Sequence, residues 1–84
     1  MQKEFARNLF NKQVMATDGT EIGILSNIIV EIKGGNIIDM VVAPNINLDT
    51  SRYRKEDNFI LIPFESVNAI KDYIIIDKMK AKAN

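Results

Sequence analysis

The chain of 84 residues contains no cysteine, no histidine and no tryptophan. Without cysteine there is no disulfide and no thiol nucleophile, and without histidine there is no imidazole base. Together the two absences exclude zinc sites built from thiolate and imidazole. Glycine is scarce, at 4 residues, and proline scarcer, at 2, so each marks a particular place. A surplus of charge is missing too: lysine plus arginine count 11, and aspartate plus glutamate count 11. Nucleic-acid binders ordinarily carry a basic surplus, so the balance speaks against that class. Apolar runs are only a few residues long, far short of the roughly 20 that span a bilayer. Lys3, Glu4, Arg7, Asn8 and Asn11 interrupt the opening segment, which does not read as a secretory leader. Cytoplasm is the location these absences predict.

Isoleucine is abundant, at 14 residues, and favours strands. The most informative stretch runs from Lys12 to Val42. It holds three β-branched runs joined by two glycine turns, Asp18-Gly19 and Gly34-Gly35-Asn36. Such turns need backbone angles that glycine and asparagine tolerate, and they join antiparallel strands. Gly23, just inside the second run, predicts a bend or a close backbone approach. Ser26 and Asn27 interrupt the apolar pattern of that run, where a bulge would re-aim its faces.

Strands are predicted over 12–17, 22–33, 37–43, 58–62 and 72–78, with a short edge strand around Ile46 and Leu48 and an exposed loop over the rest of 45–57. Residues 3–10 read as a helical turn or an arm covering one end, and 64–70 as a single helical turn. The polar tail 79–84 reads as frayed. Short strands in so small a chain predict one domain over 1–84, with its core over about 6–78. Five or six such strands predict an antiparallel sheet closed or nearly closed into a barrel, with one short helical turn. Val14, Ile22, Ile28, Val41, Ile60, Ile62 and Ile75 are the expected core.

The order of these residues resembles the PRC-barrel domain. The resemblance rests on Leu9, Lys12-Gln13-Val14, Thr17-Asp18-Gly19-Thr20-Glu21-Ile22-Gly23, Ile28-Ile29-Val30 and Ile38-Asp39-Met40-Val41-Val42. Phe59–Ile62, Pro63, Glu65, Val67, Ala69-Ile70 and Asp72-Tyr73-Ile74-Ile75-Ile76 continue it. Asn11 stands where the family often has glycine, and asparagine also tolerates the left-handed conformation. The family is named for the cytoplasmic domain of the photosynthetic reaction centre H subunit. It also forms the C-terminal domain of a bacterial ribosomal RNA processing factor, where it binds a ribosomal protein. Stand-alone copies are typical of archaea, and some are linked to cell division through division-ring anchoring proteins. The resemblance thus implies a small six-stranded antiparallel β-barrel and a non-catalytic, protein-binding adaptor, with archaeal cell division as one setting. The alternative it implies is an accessory role in ribosome assembly or RNA processing.

Side chains that can carry chemistry have structural readings beside the functional ones. Asp18, Glu21 and Asp39 can be drawn as a carboxylate cluster for acid–base work or a hard cation. Equally, Asp18 is ordinary turn chemistry, Glu21 closes that turn and Asp39 is an outward strand residue. Glu65 suits the start of a helical turn, and Tyr73 the rim of the core. Arg52, Tyr53, Arg54 and Lys55 interleave cations with an aromatic, as partner-binding surfaces do. Asp49, Glu56 and Asp57 largely cancel their field, which favours a solvated loop over nucleic-acid binding, with a protein contact between the two. Nothing here calls for a catalytic residue, a metal or a cofactor.

Hydrophobic residues make up 46% of the chain, and Ile74-Ile75-Ile76 cannot all face inward along one strand. The surplus predicts a homodimer, with Phe5, Phe10, Ile74 and Ile76 at its surface.

Overall fold

A computed structural model describes residues 10–82. Seven strands make one sheet: β1 Gln13–Ala16, β2 Glu21–Val30, β3 Ile37–Pro44, β4 Arg54–Glu56, β5 Phe59–Pro63, β6 Val67–Ile70 and β7 Ile74–Ile76. Their spatial order is β4-β5-β3-β2-β1-β7-β6, so β4 and β6 are open edges. The expected barrel is therefore corrected in two respects: there are seven strands rather than six, and the sheet does not close. It is not wholly antiparallel either, because β7 lies parallel to β1, pairing Val14 with Ile74 and Ala16 with Ile76.

The glycine turns form where the sequence places them. Gly19 and Gly35 both adopt positive φ, and so does Asn11, at 69°. Gly23 fulfils its expectation through a close approach: a Cβ there would stand 2.1 Å from the carbonyl oxygen of Ala43. The pairing of β2 with β3 slips between Leu25 and Asn27, the bulge expected at Ser26. The slip turns Leu25 and Ile28 toward the same side, whereas strict alternation would oppose them.

Alternation elsewhere fills the core. Val14 and Ala16 face inward from β1, Met40 and Val42 from β3, Ile60 and Ile62 from β5, and Ile74 and Ile76 from β7. The expected core holds for Val14, Ile22, Ile60 and Ile62, while Ile28, Val41 and Ile75 are only half-buried. Parity along β7 is thus the reverse of the reading. Ile74 and Ile76 are fully buried within the chain and are withdrawn as a dimer surface. The sequence offered no way to choose between faces in a run of three isoleucines. Phe10 is exposed, and Phe5 lies outside the described residues.

Three short segments differ from expectation. The edge strand forms at Arg54–Glu56, in the stretch read as loop, rather than around Ile46 and Leu48. Residues 64–70 form a 3-10 turn, Phe64–Ser66, and then the strand β6 rather than one helical turn. Ser66 is fully buried, and its hydroxyl donates to the carbonyl oxygen of Pro63 at 2.7 Å. The end of the predicted last strand and the start of the tail read as frayed form a helical turn instead, α1 Lys78–Ala81. Asp77 caps it by accepting from the Met79 amide, and Ala81 is buried in the core. A single alanine facing inward gives no periodic signal from which to read such a turn.

Candidate functional site

The β3–β4 connection, residues 45–53, bends back over the β1–β2 turn. Asn45 starts it, its amide donating to the carbonyl oxygen of Ile22 at 2.8 Å. Its side-chain oxygen accepts from the Asn47 amide, and its side-chain nitrogen donates to Glu21 Oε1 at 3.1 Å. Asp49 accepts from the Ser51 amide at 3.0 Å, a second turn of the same kind. These bonds fasten the loop to the start of β2 and shape its turns, and a cleft of about 360 Å3 lies between the loop and the Lys78–Lys82 end of the chain. Thr20, Leu48, Arg52, Tyr53, Lys78 and Lys82 line it along with the loop's polar groups.

Its carboxylates are already occupied. Asp18, at the mouth, accepts from the Thr20 hydroxyl at 2.7 Å and the Thr20 amide at 3.0 Å. Lys78 Nζ lies 3.3 Å from Asp18 Oδ2 and 3.3 Å from the Thr20 hydroxyl oxygen. The Thr20 hydrogen bonds, assisted by Lys78, lower the Asp18 pKa to about 2. Asp49 is held below its ordinary value by the Ser51 amide and hydroxyl.

The donors are not all occupied. Arg52 and Lys82 form no salt bridge among the described residues. Tyr53 is 5% exposed, and its hydroxyl is buried with no hydrogen-bond partner. Burial, and secondarily the Asp18 charge, push its phenol above its ordinary pKa. Such a group is uncommon, since buried polar atoms nearly always find a partner.

The structure divides the expected partner-binding run. Tyr53 is buried where the core meets the cleft, whereas Arg52 stays exposed at the cleft. Arg54 leaves in another direction, reaching over β5 to Asp39 with contacts of 2.6 and 3.4 Å. Asp39 is accordingly buried and paired, not the free outward residue of the sequence reading. Lys55, next along β4, points to the opposite face, as alternation requires. The drawn cluster of Asp18, Glu21 and Asp39 does not exist: the first pairs with Thr20 and Lys78, the second with Asn45, the third with Arg54. Among the described residues no group of acids is placed to hold a metal ion. Glu65 and Tyr73 are both exposed.

Sequence reasoning missed Lys78 and Lys82 as partners of Arg52 around this cleft. No spacing rule joins positions so far apart; only the return of β7 to β1 brings α1 beside the first turn. Among the described residues no helix is long and apolar enough to cross a membrane.

Set beside known proteins, a family model for the PRC-barrel domain matches residues 1–83. An uncharacterised protein of the archaeon Methanocaldococcus jannaschii is 32% identical over 78 residues, covering 93% of this chain and 85% of the relative.

Proposed function

The chain belongs to the PRC-barrel domain family, and from that premise we propose that it is a non-catalytic protein-binding adaptor of the archaeal cytoplasm, serving cell division. The observation that carries a protein partner is the uncovered end of the β2–β3 hairpin. Val30, Ile32 and Ile38 there are 46%, 99% and 47% exposed. Isolated apolar residues on a surface are ordinary, but three at one projecting end form a contact patch. The hairpin tip is also ordered for the purpose. The Glu31 amide donates to the carbonyl oxygen of Asn36 at 2.9 Å, and the Asn36 side chain donates to Glu31 Oε1 at 2.8 Å.

A tagged chain is used to capture partners from archaeal lysate, beside an Ile32→Asp variant. Division proteins captured by the parent and lost from the variant support the reading. Ribosomal proteins in their place move the adaptor to ribosome assembly. A second copy of this chain is one protein the patch can accept, and light scattering then gives twice 9.5 kDa. Capture of no protein beyond background removes the adaptor reading.

A further inference from the structure

We infer that the cleft between the β3–β4 loop and α1 binds a carboxylate of an acidic peptide segment, held by Arg52, Lys82 and the Tyr53 hydroxyl. This rests on the adaptor reading, and it names what part of the partner would enter the chain.

Glu21, Asp49 and Asp18 each spend oxygen atoms on bonds that shape the cleft's own walls. Arg52 and Lys82 have no ionic partner among the described residues, and the buried Tyr53 hydroxyl has no partner at all. Three unspent donors on one wall call for an acceptor from outside, and an ionised one gives the strongest bonds. Tyr53 is the sharpest element of the argument. Its hydroxyl is desolvated whether or not a ligand is bound, so a ligand oxygen gains a bond without that desolvation cost.

The remaining wall selects a peptide over a phosphate. A phosphate brings about two negative charges at neutral pH, which double its attraction to Arg52 and Lys82 and equally its repulsion by Glu21 and Asp49. No run of glycine amides lines the cleft to offset that repulsion, as phosphate loops require. Peptide amides flanking an acidic side chain are donors, and the free oxygens of Asn47, Asp49 and Glu21 can accept them. Leu48 supplies an apolar surface for the side-chain methylenes.

The probe is a fluorescein-labelled hexaglutamate blocked at both ends, with blocked hexaglutamine as its neutral counterpart. Anisotropy should rise to saturation with the first and stay flat with the second. Arg52→Gln and Lys82→Gln should each weaken binding about fivefold or more. Lys71→Gln, in the exposed turn between β6 and β7, should leave it unchanged. Tyr53→Phe should weaken binding while the unliganded melting temperature stays level or rises, which a merely structural tyrosine would not do. The inference is overturned if hexaglutamate does not bind, if Lys71→Gln weakens it as much as the cleft variants, or if inorganic phosphate displaces it at lower concentration than free glutamate. A partner captured equally by parent and Arg52→Gln/Lys82→Gln chains removes the cleft's role and keeps the adaptor. Hexaglutamate bound by a chain that captures no protein does the reverse.

Discussion

Arg54 on the edge strand β4 grips Asp39 two strands away on β3, with its guanidinium lying over β5 between them. The pair faces both oxygens of one carboxylate with two nitrogens, the geometry in which an ion pair is also a clamp. It fastens an outermost strand of three residues that contributes nothing to the core.

Removing one side of the clamp leaves Asp39 buried without its partner. Arg54→Ala should cost about 1–2 kcal/mol, below the value for a fully buried pair because the guanidinium is half in solvent. A double-mutant cycle with Asp39→Ala, followed by urea unfolding, should return a coupling of about 1 kcal/mol. Strictly additive single effects would show that the clamp carries no energy.

Gly23 and Gly19 should respond differently to alanine. At Gly19 nothing lies within 4 Å of a new Cβ, and only the positive φ opposes it. That substitution should cost about 1–2 kcal/mol. At Gly23 the Cβ meets the backbone of Ala43 and Pro44, which cannot step aside without parting β2 from β3. Gly23→Ala should cost about 3 kcal/mol or more. Thermal melts of the two variants measure the difference, and equal melting temperatures would contradict the close approach.

The inward face of β7 can be tested by truncation. Ile74→Ala should destabilise by about 2–5 kcal/mol, as should Ile60→Ala and Ile62→Ala. Ile75→Ala, at a half-buried position, should cost distinctly less. Urea midpoints give the ranking directly, and an inverted order of Ile74 and Ile75 would restore the opposite parity.

Asp18 makes the first turn sensitive to acid. Its folded pKa of about 2 lies below the ordinary 3.8, so the folded chain binds its proton more weakly than the unfolded chain. The stability it contributes is fully present above 3.8 and is lost as pH falls through that value toward 2. Asp49, shifted the same way, adds to the same window. An Asp18→Asn chain should lose less stability between pH 4 and pH 2 than the parent. Carboxyl NMR titration should place the Asp18 midpoint near 2, and Thr20→Val should raise it.

Local chemistry was legible in the sequence and long-range placement was not. Asp18-Gly19, Gly34-Gly35, the bulge at Ser26 and the close approach at Gly23 all act within a few residues or across one hairpin, where residue type constrains the backbone directly. The family followed from their order. Three features had no such signature. Ile74-Ile75-Ile76 fits either face of a strand, so only packing decides it. Val67–Ile70 follows a 3-10 turn so closely that its residues read as a continuation of that turn. The cleft joins Thr20, Arg52 and Lys82 from three separate parts of the chain, and their meeting depends on the whole sheet being assembled. Arg52, Tyr53, Arg54 and Lys55 illustrate the same limit: neighbours in sequence, they end in four different surroundings.

The parallel seam between β1 and β7 also sets a timetable. Val14 pairs with Ile74, sixty positions later. At about 5–20 residues per second of synthesis, β1 waits several seconds on the ribosome for the strand that completes its ladder. During that wait Val14, Ala16 and the inward side chains of β2, β3 and β5 have no lid, and one side of β1 offers unpaired amides to any passing strand. A chain stalled before residue 74 should therefore be a substrate for chaperones and proteases, and one released after residue 76 should escape them.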